Sequence, residues 1–198
     1  MDKYKIIIIG PANSGKSTIL SQLKEGVIIE NTYTPTIGVD YGTKIITVKG
    51  EPVKINIWDT AGQERFDSIV NIYYRKADMA LIVVDLSDNN YKHSLSLDTF
   101  INKVSNVSGD IPIFLIGNKI DKVRNNKKLK IDINKYEKIN KYFEISANDI
   151  NDVNSMFDYI LNNEILPTIE TKINTENNKN IKLEQKKYNF TNYFCNIL

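Results

Sequence analysis

Apolar and polar positions follow two alternating periods along the chain. Tyr4–Ile9 is a short apolar run that stops at Gly10, the pattern of a buried strand. Ile19, Leu20 and Leu23 fall on one face of a helix predicted over Ser17–Leu23. Val39–Val48 and Val53–Trp58 read as strands, and the short link through Gly50 makes them an antiparallel pair. Met79–Asp85 and Ile111–Gly117 are near-continuous apolar runs, as strands covered on both faces should be. A helix is expected after each of them. Phe143–Ile145 reads as a last short strand. Over Val153–Ile165, the residues Val153, Met156, Phe157, Ile160 and Leu161 form an apolar stripe at helical spacing. This alternation predicts an α/β fold built on a mostly parallel, doubly wound sheet, whose ligands bind beyond the carboxyl ends of the strands. After Pro167 the periodicity stops. Thr168–Tyr188 is polar and rich in Asn, Lys and Glu, the composition of a flexible tail. The expected organisation is one folded domain over 1–167 and a tail over 168–198.

Composition changes this picture little. A chain of 198 residues with 41% hydrophobic content suits one domain with a real core. A formal net charge of +2 points to no nucleic-acid partner. No apolar run reaches the roughly 18 residues of a membrane span, and Ile6–Ile9 is too short for a signal-peptide core. Cys195 is the single cysteine, so no internal disulfide is possible and a reducing compartment fits. His93, the single histidine, reads as a surface helix residue, and the basic run Lys122–Lys130 as a solvated loop. Trp58 reads as core.

Chemistry enters between the first strand and the first helix. Gly10-Pro11-Ala12-Asn13-Ser14-Gly15-Lys16-Ser17-Thr18 contains the phosphate-loop pattern G-x-x-x-x-G-K-[ST]. Its glycines let backbone N–H groups turn inward around phosphates. Lys16 brings a cation to the β and γ oxygens, and Ser17 a hydroxyl to Mg²⁺. The helix that starts here directs its positive end at the anion. The loop alone admits ATPases, metabolic kinases and GTPases.

A second motif chooses among them. Asn118-Lys119-Ile120-Asp121 directly follows the strand Ile111–Gly117. A carboxylate such as that of Asp121 accepts from guanine N1–H and the 2-amino group, a donor pair that adenine lacks. Other Asn-Lys pairs occur in this Asn- and Lys-rich chain. Only this one has Asp two residues later and an apolar strand before it.

With these motifs in order, the chain resembles the Ras superfamily of small GTPases, and most closely its Rab branch. Trp58-Asp59-Thr60-Ala61-Gly62-Gln63-Glu64-Arg65-Phe66 is similar to the second switch of Ras-type GTPases. Thr36-Ile37-Gly38-Val39-Asp40-Tyr41 resembles the first switch of Rab proteins, and Ile72-Tyr73-Tyr74-Arg75 the Rab segment that follows the second. Ser146-Ala147-Asn148 resembles the last guanine-contacting motif. The likeness covers residues 4–166 and implies a P-loop G domain with six strands, the second antiparallel. It implies that Thr36 gives its hydroxyl to Mg²⁺ and its N–H to the γ-phosphate, that Asp59 holds Mg²⁺ through water, and that Gly62 offers an N–H to the γ-phosphate. Gln63 would orient the attacking water, and Tyr33 would either lie over the nucleotide or stand as a mobile surface residue. Because phosphoryl transfer needs positioning and charge stabilisation, these contacts make both catalyst and switch.

The chain departs from the pattern in places. Val27-Ile28-Ile29 stands where an aromatic residue often stacks on guanine, and Asn148 where a lysine is common, so less tight nucleotide binding is expected. Ala12 and Asn13 replace residues that are usually Gly or Ser. Cys195-Asn196-Ile197-Leu198 reads as a C-a-a-X box with Leu last, which suggests geranylgeranylation. Lys172, Lys179, Lys182, Lys186 and Lys187 against Glu170, Glu176 and Glu184 add a weak basic signal for a membrane. By resemblance the partners are an exchange factor, a GTPase-activating protein, effectors and a prenyl-masking carrier. The expected place is the cytoplasmic face of intracellular membranes, in exchange with cytosol, and the expected state is a monomer. Two function classes stay open. One is a hydrolysing switch, and the other a GTP-binding adaptor that barely hydrolyses.

Overall fold

The computed structural model describes residues 3–25, 39–60, 72–88, 94–123, 129–172 and 174–175. Two compact units are distinguished, Met1–Asp158 and Tyr159–Leu198. The first holds a six-stranded sheet made of β1 (Lys3–Ile9), β2 (Val39–Val48), β3 (Glu51–Thr60), β4 (Met79–Asp85), β5 (Ile113–Asn118) and β6 (Ile139–Glu144). Their order across the sheet is β2-β3-β1-β4-β5-β6. All neighbours are parallel except β2 and β3. Those two are joined through Lys49 and Gly50, both at positive φ (52° and 83°), the backbone of a tight hairpin turn. Helices α1 (Lys16–Glu25), α2 (Ser94–Ser108) and α3 (Ile150–Ile160) accompany the sheet of this α/β fold.

The core lies where the apolar runs predict. Ile6–Ile9, Met79–Val84 and every residue of β5 are buried, and Ile19, Leu20 and Leu23 are the buried face of α1. Strands buried on both faces cannot alternate, which is why these runs read so plainly. Strand β1 occupies the centre, with β3 on one side and β4 on the other. The loop after β1 therefore opens at the point where the winding of the sheet reverses, the usual place for a ligand.

Three expectations need correction. The last strand begins at Ile139, well before Phe143, and ends at Glu144, so Ile145 lies outside it. Its polar members hid it. Asn140 is exposed, and its side-chain oxygen accepts from Ile113 N–H at 2.9 Å where the β5–β6 register shifts. The helix expected after β5 is absent among the described residues. Two short 3₁₀ turns, Ile120–Lys122 and Ile133–Lys135, stand there instead. Ile131, Ile133 and Tyr136 pack directly on the core from this segment, at a spacing that makes no helical stripe.

The third correction concerns the second unit. Past α3 the chain winds with π-type bonding over Leu161–Ile165, and residues 166–172 and 174–175 are helical beyond Pro167. Residues 168–172 and 174–175, expected to lack regular structure, are thus helical. A proline has no N–H to give, and it is tolerated where the preceding turn has already left regular α winding. Ile165 and Ile169, one helical turn apart, are both buried, so apolar spacing continues past the proline.

Candidate nucleotide-binding site

The loop after β1 is shaped by close approach. Gly10 has φ 141°, and a Cβ there would stand 2.1 Å from the Val83 carbonyl oxygen of β4. Gly15 has φ 98°, and a Cβ would stand 2.1 Å from Asn118 Nδ2. Neither position admits a side chain. Asn13 also takes positive φ (61°), which Asn accepts more readily than most residues. Pro11 is half-buried, and Ala12 and Asn13 are exposed at the mouth. Ser14 is buried and its N–H reaches back to Pro11 O at 3.4 Å. Helix α1 begins at Lys16, so the N–H groups of its first turn face the loop.

Lys16 is buried, and its ammonium donates to Gly10 O at 3.0 Å and Pro11 O at 2.7 Å. Burial pushes its pKa down to about 8; Asp59 pulls it upward and Lys119 adds to the lowering. Asp59, at the end of β3, is 0% exposed. Burial pushes its carboxyl up to about 6, against the hydrogen bond from Ser17 and the charge of Lys16. Ser17 Oγ donates to Asp59 Oδ2 at 2.5 Å, while Asp59 Oδ1 is buried without a hydrogen-bond partner. Desolvated charges and an orphaned carboxylate oxygen are what a bound cation and phosphates would satisfy. The hydroxyl–carboxylate pair fits Mg²⁺, a hard ion that takes oxygen ligands and is held through few carboxylates plus phosphates. Among the described residues no cluster of three or more His, Cys, Asp or Glu could hold a metal.

The loops that carry Asn118–Asp121 and Ser146–Asn148 lie beside this corner and are bonded more completely. Asn118, buried at the end of β5, donates through Nδ2 to Ser14 O at 2.8 Å and accepts at Oδ1 from Ala147 N–H at 2.8 Å. It ties the phosphate loop to the loop after β6. Ser146 Oγ donates to Asp121 Oδ1 at 2.7 Å, which leaves the second carboxylate oxygen of Asp121 for a ligand. Ser146 N–H donates to Asp152 Oδ2 at 2.8 Å, and Asn148 N–H to Ser146 Oγ at 3.3 Å. Lys119 stands in the left-handed region (φ 63°), and its Nζ pairs with Asp85 Oδ2 at 2.8 Å. Burial disfavours the Asp85 carboxylate, but bonds from Lys119 and Ser87 outweigh it and hold its pKa below the usual range. Gln22 of α1 donates through Nε2 to Ala147 O at 3.3 Å.

Thus Pro11 to Thr18, Asp59, Asn118, Lys119, Asp121, Ser146, Ala147 and Asn148 gather at the carboxyl ends of β1, β3, β5 and β6. Tyr33, Thr36, Gly62, Gln63 and Cys195 lie outside the described residues, as do His93 and Val27–Ile29. Sequence reading missed Gln22, Asp85, Ser87 and Asp152. Gln22, Asp85 and Asp152 each bond a motif residue, Ser87 supports Asp85, and no local spacing signals these contacts. Trp58 is only partly buried. Its ring packs on the core, with its centroid 4.7 Å from that of Tyr41 and 5.3 Å from that of Tyr73, and Tyr41, Ile45 and Ile72 are exposed.

Comparison with known proteins agrees with this geometry. A sequence profile of the Ras family matches residues 5–166. The chain is similar to the Ras-related protein Rab-26 of Bos taurus, with 35% identity over 60% of this chain and 46% of that one. It is also similar to Rab-37 of Homo sapiens, with 37% identity over 59% and 52%. Against these two the match spans about half the relative's length. Rab-8B of Homo sapiens is 30% identical over 98% of this chain and 96% of its own.

Proposed function

Because the chain belongs to the Ras family, we propose that it is a GTP-hydrolysing molecular switch of the Rab kind, acting in membrane trafficking through effector recruitment. The observation that carries this reading is the joining of two sites by one side chain. Asn118 bonds both the phosphate loop and the Ser146–Asn148 loop, beside the single Asp121 carboxylate suited to guanine.

In this reading the backbone N–H groups of Asn13 to Thr18 and the Lys16 ammonium hold the phosphates. Ser17 and Asp59, together with Thr36, would hold Mg²⁺, which would supply positive charge to the phosphate oxygens. Gly62 offers its N–H to the γ-phosphate, Gln63 orients the attacking water, and Tyr33 covers the nucleotide. Loss of the γ-phosphate releases Thr36 and Gly62 and with them both switch segments. The adaptor alternative is less well supported, because Thr36, Gly62 and Gln63 are all intact.

In this reading, charge stabilisation beyond that of Lys16 and Mg²⁺ comes from a partner. The arginines are Arg65, Arg75 and Arg124. Arg75 is exposed and its carbonyl accepts from Lys5 Nζ at 2.9 Å, near the start of β1 and away from the phosphate loop. An activating protein supplying an arginine in trans would raise the rate by roughly 10³–10⁵. The exposed Tyr41, Ile45 and Ile72 support an effector surface of apolar character. The reading extends to an exchange factor, a prenyl group on Cys195 and a prenyl-masking carrier. No described helix is long and apolar enough to cross a membrane.

Single-turnover hydrolysis tests the catalytic assignment. Wild type alone should turn over well below about 1 per second. Gln63→Leu should keep GTP and hydrolyse it ~10-fold or more slowly. A Gln63→Leu variant at the wild-type rate would remove Gln63 from its role.

A further inference from the structure

The Ala147 peptide is gripped on both sides. Its N–H donates to Asn118 Oδ1, and its carbonyl accepts from Gln22 Nε2 at 3.3 Å. Asn118 in turn accepts nothing from the phosphate loop but donates to it, at Ser14 O. A closed ring results, running from Ser14 along α1 to Gln22, across to Ala147, through Asn118 and back to Ser14. Lys16 and Ser17 sit inside the covalent arc of that ring.

Gln22 is an unusual member of the buried face of α1. It is 2% exposed among Ile19, Leu20 and Leu23, and its Oε1 is buried without a hydrogen-bond partner. A core position served by packing alone would take an apolar side chain, because a half-satisfied buried amide costs stability. The amide is explained if its remaining bond has a use beyond packing. We infer that Gln22 is a positioning residue that holds the Ser146–Asn148 loop against the base edge of the nucleotide and thereby slows nucleotide release. This rests on the guanine-nucleotide reading above. The coupling also runs the other way. A displacement of α1 carries Gln22 away from Ala147, so whatever shifts the phosphate-binding helix loosens the base loop as well.

The experiment compares release of fluorescently labelled GDP from wild type and Gln22→Met, a change that keeps length and loses the donor. One buried amide-to-carbonyl bond is equivalent to ~2- to 12-fold in a rate or equilibrium constant. Release should accelerate by that factor. Single-turnover hydrolysis of GTP already bound should stay at the wild-type rate, since Gln22 touches no phosphate ligand. The acceleration produced by chelating Mg²⁺ should be the same factor in both proteins. A general loss of folding would move all three readouts together. Wild-type release from Gln22→Met, or an equal loss in hydrolysis, would overturn the inference. Should that variant not fold, GDP-loaded wild type decides by nuclear magnetic resonance. The Gln22 side-chain nitrogen should show through-bond coupling to the Ala147 carbonyl carbon, and its absence would overturn the inference. Failure of wild type to bind labelled GDP at all would overturn the nucleotide reading, and this inference with it.

Discussion

The two halves of the site are built on opposite principles. In the phosphate corner, charge is buried ahead of its ligand. Lys16 is pushed down to about 8, Asp59 up to about 6, and Asp59 Oδ1 has no partner. In the base corner nearly every polar group is already bonded. Asn118 uses both ends of its amide, Ser146 both its N–H and its hydroxyl, and Lys119 is paired with Asp85. The first arrangement stores unsatisfied electrostatics that only an anion and a cation relieve, so it supplies affinity. The second is preorganised, so it supplies discrimination. A switch needs both. The corner that reads the γ-phosphate must respond to the ligand, and the corner that reads the base must not.

The comparison can be broken at either half. The largest effect belongs to Asp121→Asn. An amide donates where a carboxylate only accepts, so preference should move from guanine toward xanthine nucleotides. A site built for a hydrogen-bond pattern rejects the wrong one by up to ~10⁴-fold. Competition between GTP and XTP for both proteins measures it, and an unchanged ratio would remove Asp121 from the base. Lys16→Met should come next, weakening GTP and GDP alike by ~10²–10³-fold, the scale of removing one partner from a buried charge pair. Its GTP-to-XTP ratio should not change, because Lys16 lies in the other half. Titration calorimetry with each nucleotide separates the two outcomes. Asn118→Ala is the smallest and the most mixed. It leaves Ser14 O and Ala147 N–H without their partner, and release of GDP should accelerate by ~10- to 100-fold. Both phosphate and base contacts should loosen, since Asn118 belongs to both halves.

What the sequence made legible follows the same division. Phosphate chemistry is local. Gly10, Gly15, Lys16 and Ser17 lie within one turn and one helix start, and their spacing alone gives the motif. The buried strands β1, β4 and β5 were legible because burial on both faces removes polar interruption. Legibility fails where the structure is made by contacts between distant segments. Asp85 holds Lys119, and Gln22 reaches Ala147 across |i−j| = 125. The edge strand β6 shows the same limit. Asn140 reads as a loop residue until its oxygen is seen to accept from Ile113 N–H. The segment after β5 misled because a helix is the habitual crossover. Among the described residues of that segment, Ile131, Ile133 and Tyr136 pack on the core and no helix forms.

The central claim is that the preorganised corner chooses guanine while the charged corner grips phosphate. Displacement of labelled GDP from the purified protein with Mg²⁺, by GTP and by ATP side by side, tests it most directly. GTP should displace the probe at concentrations at least ~10³-fold below those needed for ATP, since adenine cannot offer Asp121 its donor pair. Equal displacement by the two triphosphates would contradict the account.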